Sequence, residues 1–419
     1  MATPRTKSPK NDPAKLLAAL TSVDPKARRR AAGALGNLGD AAAVAPLAAQ
    51  LTYERDLKVI EALIGAIGRF ATPAAAAALV EVLRRERGRA ALQWAAANAL
   101  GALGEPGVGP AAACLGDGPP TAVYAARALG LSRSPSAVPP LVAIRVGVGP
   151  LALREAAVEA LGSIDHDAAT AALIAALGDA QPDVQHAAAK ALVRQGERAA
   201  PAVAPLLRAG DELSRRAAYV FSFVKAPAEA APDLVPLLLR RETAIHATTA
   251  LAAIDGGFDL AAEALPAAGA ALDGDDPGRC YAAAWTLSQL ARRRPERVDD
   301  GVIAALTRGL AQPEYETRSR VAEALAALSP RGADGVIARL DDALPLARQG
   351  AAAALAQATA VDPRAAPSLA RLLGDEGCAV WAAEALARIG RPAREAVVEA
   401  AARGGEAAVR ARRLLALWP

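Results

Sequence analysis

A large apolar residue returns thirteen times along this chain, at Leu35, Ile64, Leu100, Leu129, Leu161, Leu192, Phe221, Leu251, Leu287, Leu325, Leu355, Leu386 and Leu417, with spacings of 29 to 38 residues. Each of these anchors ends a stretch of one type. Residues 31–39 read AAGALGNLG, 96–104 AANALGALG and 382–390 AAEALARIG, with the anchor fifth in each. A period this steady marks a repeat array, in which every unit buries its apolar face against its neighbours.

With the anchor as position 0, apolar or small residues recur at −8, −4, −1, 0 and +3, as in Ala27, Ala31, Ala34, Leu35 and Leu38. That is one stripe at helical period. Alanine dominates −4 and −1 and lets adjacent helices pack near the short end of the usual ~8–10 Å separation. Asp24 is placed to cap this helix and Pro25 suits its first turn, while Gly36 and Gly39 weaken its end. Between anchors lies a second amphipathic segment, at 43–51, 136–144, 201–209 and 232–240 among others. Each repeat therefore reads as a helical hairpin. The expected fold class is all-α, an α-solenoid of about thirteen hairpins over residues 14–419, preceded by a disordered basic tail at 1–13 with Arg5, Lys7 and Lys10.

The hydrophobic fraction is 53%, but aromatics are only 3% and alanine supplies most of the rest, which favours helix over strand. The longest apolar stretches, such as 41–51, fall well short of the ~18 residues of a membrane span, so no membrane partner is expected. Cys114, Cys280 and Cys378 have neither pairing nor metal spacing and fit reduced thiols in a cytoplasm. A net charge of +4 is too small to name an anionic partner by itself.

Position −7 is arginine at Arg28, Arg154, Arg318, Arg348 and Arg410, and Asp342 stands six residues before Arg348. Gln93 and Gln185 replace the arginine elsewhere, with Asp179 six residues before Gln185. Together with the proline-containing first helix and the Ala-x-x-Ala-Leu-Gly run, this pattern resembles the HEAT repeats. It is most similar to the short HEAT-like units of phycobilisome lyase subunits and many bacterial proteins. The resemblance implies stacked hairpins whose second helices line a concave face, tied by an Asp–Arg ladder between repeats. Here that ladder is incomplete, because −7 is elsewhere Leu57, Ala122, Ser214, Ala244, Cys280 or Ala379. The motif is structural and implies no chemistry.

Three places break the rhythm. Residues 101–120 hold ten glycines and prolines, which predicts a short or frayed helix with a hinge and makes GEPGVG at 104–109 a turn. Long spacings predict extra loop at 258–276 and at 292–300, where RRRPER is the densest basic cluster.

HEAT-like iron hydroxylases bind metal through His-Glu pairs. Here His166, His186 and His246 are followed by Asp167, Ala187 and Ala247. No metal site, cofactor or phosphate loop is expected. Cys280 lacks a histidine in its repeat and Cys378 falls on the core stripe, so no nucleophile with its base is in view. The chain reads as a non-enzyme.

Binding is the remaining function, and by the resemblance it belongs to positions −6 and −2 of the second helices. The candidates are Trp94, Asn98, Arg127, Lys190, Arg215, Tyr219, Tyr281 and Trp285, with Tyr124 and Trp381 alongside at −5. Tryptophan, tyrosine and arginine are the types enriched at binding hot spots. The competing role for the rings is to fill gaps between alanine-rich helices. The charges in these rows are mixed, with Arg29, Lys58, Arg127, Lys190 and Arg215 set against Glu155, Glu159, Glu323 and Glu384, but the bases concentrate in the first seven repeats while the last four carry acids. Such a gradient suits another protein or peptide. The expected function is a protein-binding scaffold or adaptor. The alternatives are nucleic-acid binding through the basic N-terminal half and Arg292 to Arg297, and a bilin-lyase-like chromophore role. The partner's identity, the pathway and the oligomeric state stay open.

Overall fold

The computed structural model describes residues 12–144 and 149–418. Residues 1–11 of the expected tail lie outside the described residues, and the first helix, Pro13–Ala19, opens under an Asp12 cap on Ala14 N. The described residues are helices and turns without a strand. The chain is an all-α solenoid that divides into two compact units, Met1–Val203 and Ala204–Pro419.

Within each unit the elements form two layers. In the first unit the second helices are Pro25–Leu38, Leu57–Ile67, Ala90–Ala102, Thr121–Ser132, Leu151–Leu161 and Pro182–Gln195, each packed on the next. In the second unit Asp211–Phe221, Ala244–Ala252, Pro277–Arg293, Tyr315–Leu328, Pro345–Gln357, Ala379–Ile389 and Gly405–Leu415 do the same. The first helices form the other layer. The core lies between the layers, built from the anchors and the alanines at −4 and −1. Caps are local, as when Asp24 accepts from Lys26 N at 2.9 Å and Asp56 from Lys58 N and Val59 N.

Two anchors sit in a different register from the sequence expectation. In the second repeat Ile64 is buried, but Gly36 of the preceding helix lies against Ala66, and Gly68 lies against Ala99 of the next. In the neighbouring repeats Gly130 meets Ala160 and Gly162 meets Ala191, which is position +1 against −1. The same rule makes Ile67 the anchor and Gly68 its +1. The run Ile60, Leu63, Ile64, Ile67 offers two anchors one turn apart, and only the neighbour's glycine decides between them. In the last repeat Leu417 lies beyond the helix and is 65% exposed, while Ala408, Ala411 and Leu414 are buried. Position 0 there is Leu415. Arg410, seven residues before Leu417, mimics the −7 arginine but donates to Leu373 O at 2.7 Å.

The irregular stretches are also more helical than expected. GEPGVG is no turn. After Gly104, at φ 67°, the helix Glu105–Ala113 begins, with Pro110 inside it. Gly107 is required by contact, since a Cβ there would lie 2.4 Å from Leu100 O. The spacing around Phe258 is taken up by the helices Gly257–Ala261 and Leu265–Leu272, and that around Arg292 by a longer second helix and a 3-10 turn, Pro295–Arg297.

The −7 arginines tie repeats together. Arg28 donates to both carboxylate oxygens of Glu54, at 2.7 and 2.9 Å, and to Ser22 O and Val23 O. Arg154 pairs with Asp179, and Arg348 reaches Asp375 at 3.0 Å and Asp342 O at 3.0 Å. The acid six residues ahead of Arg348 is thus met through its backbone carbonyl, and the ion pair goes to the following repeat. Where the arginine is missing, Gln93 Nε2 donates to Leu83 O at 3.0 Å and Thr286 Oγ1 to Leu238 O at 2.8 Å. These carbonyls end first helices, where backbone acceptors lack helical partners.

Candidate functional site

In the corrected register none of the residues at −6 or −2 is buried. The face that carries the candidate residues is therefore open to solvent in both units. The corrections also change its charges. Glu61 replaces Lys58 at −6 of the second repeat, and Arg413 stands at −2 of the last. Glu61, Glu155 and Glu159 then stand among Arg29, Arg127 and Lys190 in the first unit, and Arg215 and Arg413 flank Glu323 and Glu384 in the second, so no simple gradient runs along the rows.

In the first unit three candidates come together. Arg127 lies over the Trp94 ring, 5.2 Å from its centroid, and its Nε donates to Asn98 Oδ1 at 3.2 Å. Trp94 remains 51% exposed. Beside them opens a cleft of about 400 Å³ between the helices Thr121–Ser132 and Leu151–Leu161, lined also by Tyr124, Leu131, Glu159 and Arg194. Lys190 is exposed and outside this cleft.

The second-unit candidates are more covered. Arg215 Nε donates to Glu212 at 3.1 Å. The Tyr219 ring meets Phe223 and His246 edge-on, at centroid distances of 5.1 and 5.4 Å. Burial, and then the charge of Arg215, lowers the His246 pKa. Tyr281 and Trp285 share a helix face but take different lids: Arg241 lies 4.8 Å over Tyr281 and Arg320 lies 4.6 Å over Trp285. Arg320 is held by both oxygens of Glu323, which also accepts from Arg292 at 3.0 Å. The Trp285 Nε1 is buried without an acceptor. Sequence reasoning missed Leu131 and Phe223, both exposed at +2. That position is one helical turn beyond −2 on the same face, so the spacing alone would have found them.

Other chemistry finds little support. A cavity of about 770 Å³ in the second unit mixes Arg215, Arg240, Arg241 and Arg279 with Glu212, Glu242 and Asp276. Cys114 and Cys378 are pushed up to about 11 by burial, and burial also raises Cys280. Their thiolates are scarce at neutral pH. No group of three or more metal-ligating side chains occurs among the described residues. His166 accepts from Ala168 N through Nδ1 as a helix cap. The basic cluster is engaged internally, with Arg292 on Glu323, Arg293 over Phe258 at 4.7 Å and Arg294 on Asp259 at 3.3 Å. Among the described residues no helix is long and apolar enough to cross a membrane.

Comparison with known proteins places the repeats. Residues 13–94 and 150–222 match the model of HEAT repeats. Among solved structures, Kap95p with RanGDP is 15% identical at a TM-score of 0.48, covering 98% of this chain and 62% of that one. Yeast importin-beta (Kap95p) is 15% identical at 0.46, covering 94% and 59%. An engineered protein is 20% identical at 0.31, covering 96% and 98%. This chain thus spans about 60% of the length of the two Kap95p chains. No curated protein matches it. The two matched stretches are thus HEAT repeats, and the same register of anchor and alanine recurs through both units.

Proposed function

We propose that the chain is a non-enzymatic scaffold or adaptor that binds another protein along the exposed face of its second helices, in a reducing cytoplasmic setting. The observation that carries this reading is the set of arginine–aromatic stacks on that face: Arg127 on Trp94, Arg241 on Tyr281 and Arg320 on Trp285. Stacking fixes the guanidinium and the ring before a partner arrives, which lowers the entropy lost on binding. Binding of nucleic acid is the weaker reading, because a phosphate backbone needs a basic stripe. Here acids interrupt the row and Arg292, Arg293 and Arg294 are engaged within the chain. A chromophore role has no support in the cavities described.

The test is affinity purification from the native lysate with the wild-type chain and with a Trp94→Ala, Tyr281→Ala, Trp285→Ala variant that retains its helical spectrum. A protein partner present with the first and lost with the second is the expected outcome. Identical captured proteins would overturn the assignment of the face. Capture dominated by nucleic acid, released steeply with salt, would favour the second reading.

A further inference from the structure

Of the surfaces on the second-helix face, the cleft in the first unit has the most complete set of binding features. Its floor is recessed because Gly130 and Ala160 touch: a Cβ on Gly130 would lie 2.6 Å from Ala160 Cα. No side chain can fill that seam. Trp94 and Leu131, 51% and 42% exposed, form apolar walls above it. Arg127 is held by the Trp94 ring and, through Nε, by Asn98, and neither of its Nη groups has a hydrogen-bond acceptor among the described residues. Arg194 is anchored through Nη2 to Glu159 O at 3.2 Å. The lining holds two guanidinium groups against one carboxylate, Glu159, which has no ion-pair partner among the described residues.

We propose that the cleft formed by Trp94, Tyr124, Arg127, Leu131, Glu159 and Arg194 docks an extended segment of a partner protein that presents a carboxylate side chain beside a large apolar one. The inference rests on the scaffold reading and specifies the partner's chemistry. A cleft of about 400 Å³ takes one large side chain and its flanking backbone. Pockets of ~300–1,000 Å³ are of ligand size. A planar guanidinium held at Nε presents its remaining N–H fork to a carboxylate, and bidentate pairing selects that group. The unpaired Glu159 sets polarity. It repels a second anion on the far wall, so a single acid next to an apolar residue fits, whereas a polyphosphate backbone does not.

The experiment pans a displayed random-peptide library against the full chain and measures synthetic copies of the enriched peptides by fluorescence anisotropy. The expected motif joins Asp or Glu to a large apolar residue. Affinity should fall about tenfold in Trp94→Ala and again in Arg127→Gln, each checked for an unchanged helical melt. Arg127→Glu should abolish binding, and replacing the peptide's acid with lysine should restore it. No enrichment, enrichment without an acid, or affinities indifferent to both substitutions overturns the proposal. Peptides indifferent to Trp94 and Arg127 but weakened by Tyr281→Ala or Trp285→Ala would sink this cleft and leave the scaffold reading standing. Peptides indifferent to all four positions would count against both.

Discussion

Five of the six second helices of the first unit carry glycine just after the anchor, at Gly36, Gly68, Gly101, Gly130 and Gly162. In the second unit that position is Ser222, Ala252, Ser288, Ala326, Ala356, Ala387 or Ala416. A Cβ on any of the five glycines would come within 2.5 to 2.9 Å of the next helix, so the first unit is assembled with backbones in contact. The second unit keeps its β-carbons there and covers its rings with arginines from adjoining repeats, as Arg241 and Arg320 cover Tyr281 and Trp285. The difference bears on function. Trp94 also carries an arginine from the next repeat, Arg127, but stays half exposed beside an open seam, whereas the more covered rings of the second unit are partly structural.

The largest contrast should come from the inter-repeat ion pairs. The Asp179 side chain is fully buried beneath Arg154, whereas Asp375 and Arg348 are each about a quarter exposed. Asp179→Ala strands a buried guanidinium and should cost ~3–5 kcal/mol. Asp375→Ala should cost no more than ~1 kcal/mol, because solvent screens the pair. Denaturant melts of the two variants measure the gap. Equal losses would mean that the two ladders do not differ as their burial implies.

Acid should expose the same asymmetry. The Arg28 hydrogen bond is the largest cause lowering the Glu54 pKa from 4.5 to about 2. A carboxylate depressed in the folded state contributes its stability above the unfolded pKa and loses it as pH falls through the folded one. The Glu54 contribution should therefore be complete above pH ~5 and gone near pH ~2, a change on the order of 2–3 kcal/mol. The stability difference between wild type and Glu54→Gln should shrink across that window. A difference independent of pH would exclude this pair as an acid-sensitive tie of the first unit.

The glycine seam gives the next prediction. Gly130→Ala gains helix propensity of ~1 kcal/mol but overpacks a contact with backbone, which costs ~1–3 kcal/mol, so a net loss of about 1 kcal/mol is expected. In the second unit the reverse change, Ala356→Gly, should also destabilise, by ~1 kcal/mol, because its β-carbon is fully buried. A higher melting temperature for Gly130→Ala would show that the first-unit helices have room to part.

How much of this was legible in the sequence follows from where each constraint resides. The repeat, the hairpin and the exposed rows rest on residues within one helix, so Leu35, Leu129 or Trp94 could be placed from spacing alone. Ile64 and Leu417 are out of register because a stretch apolar on successive turns, or a terminal segment that holds both Arg410 and Leu417, contains more than one match to the pattern. The contact of Gly36 with Ala66 lies between helices and is invisible to periodicity. Glycine and proline at 104–110 signal a break locally, but packing of Gly107 on Leu100 overrides them. The lids on Tyr281 and Trp285 come from other repeats, at Arg241 and Arg320, so the degree of exposure of those rings had no local signature.

The smallest expected effect on stability is also the sharpest on the comparison. Trp94 is half exposed and stacks on the Arg127 guanidinium. Trp94→Ala should therefore change stability by no more than ~0.5 kcal/mol, the usual range for surface sites. Trp285 lies under Arg320 with its Nε1 buried, so Trp285→Ala removes packing and should cost more, ~1–3 kcal/mol. Thermal melts of the two single variants rank them directly. Should Trp94→Ala prove the more destabilising, the ring would belong to the packing between repeats, and the open seam of the first unit would lose its principal wall. With the expected order, Trp94 is the ring that can be removed without disturbing the fold, which makes it the one position where a loss of binding reads cleanly as the loss of a contact.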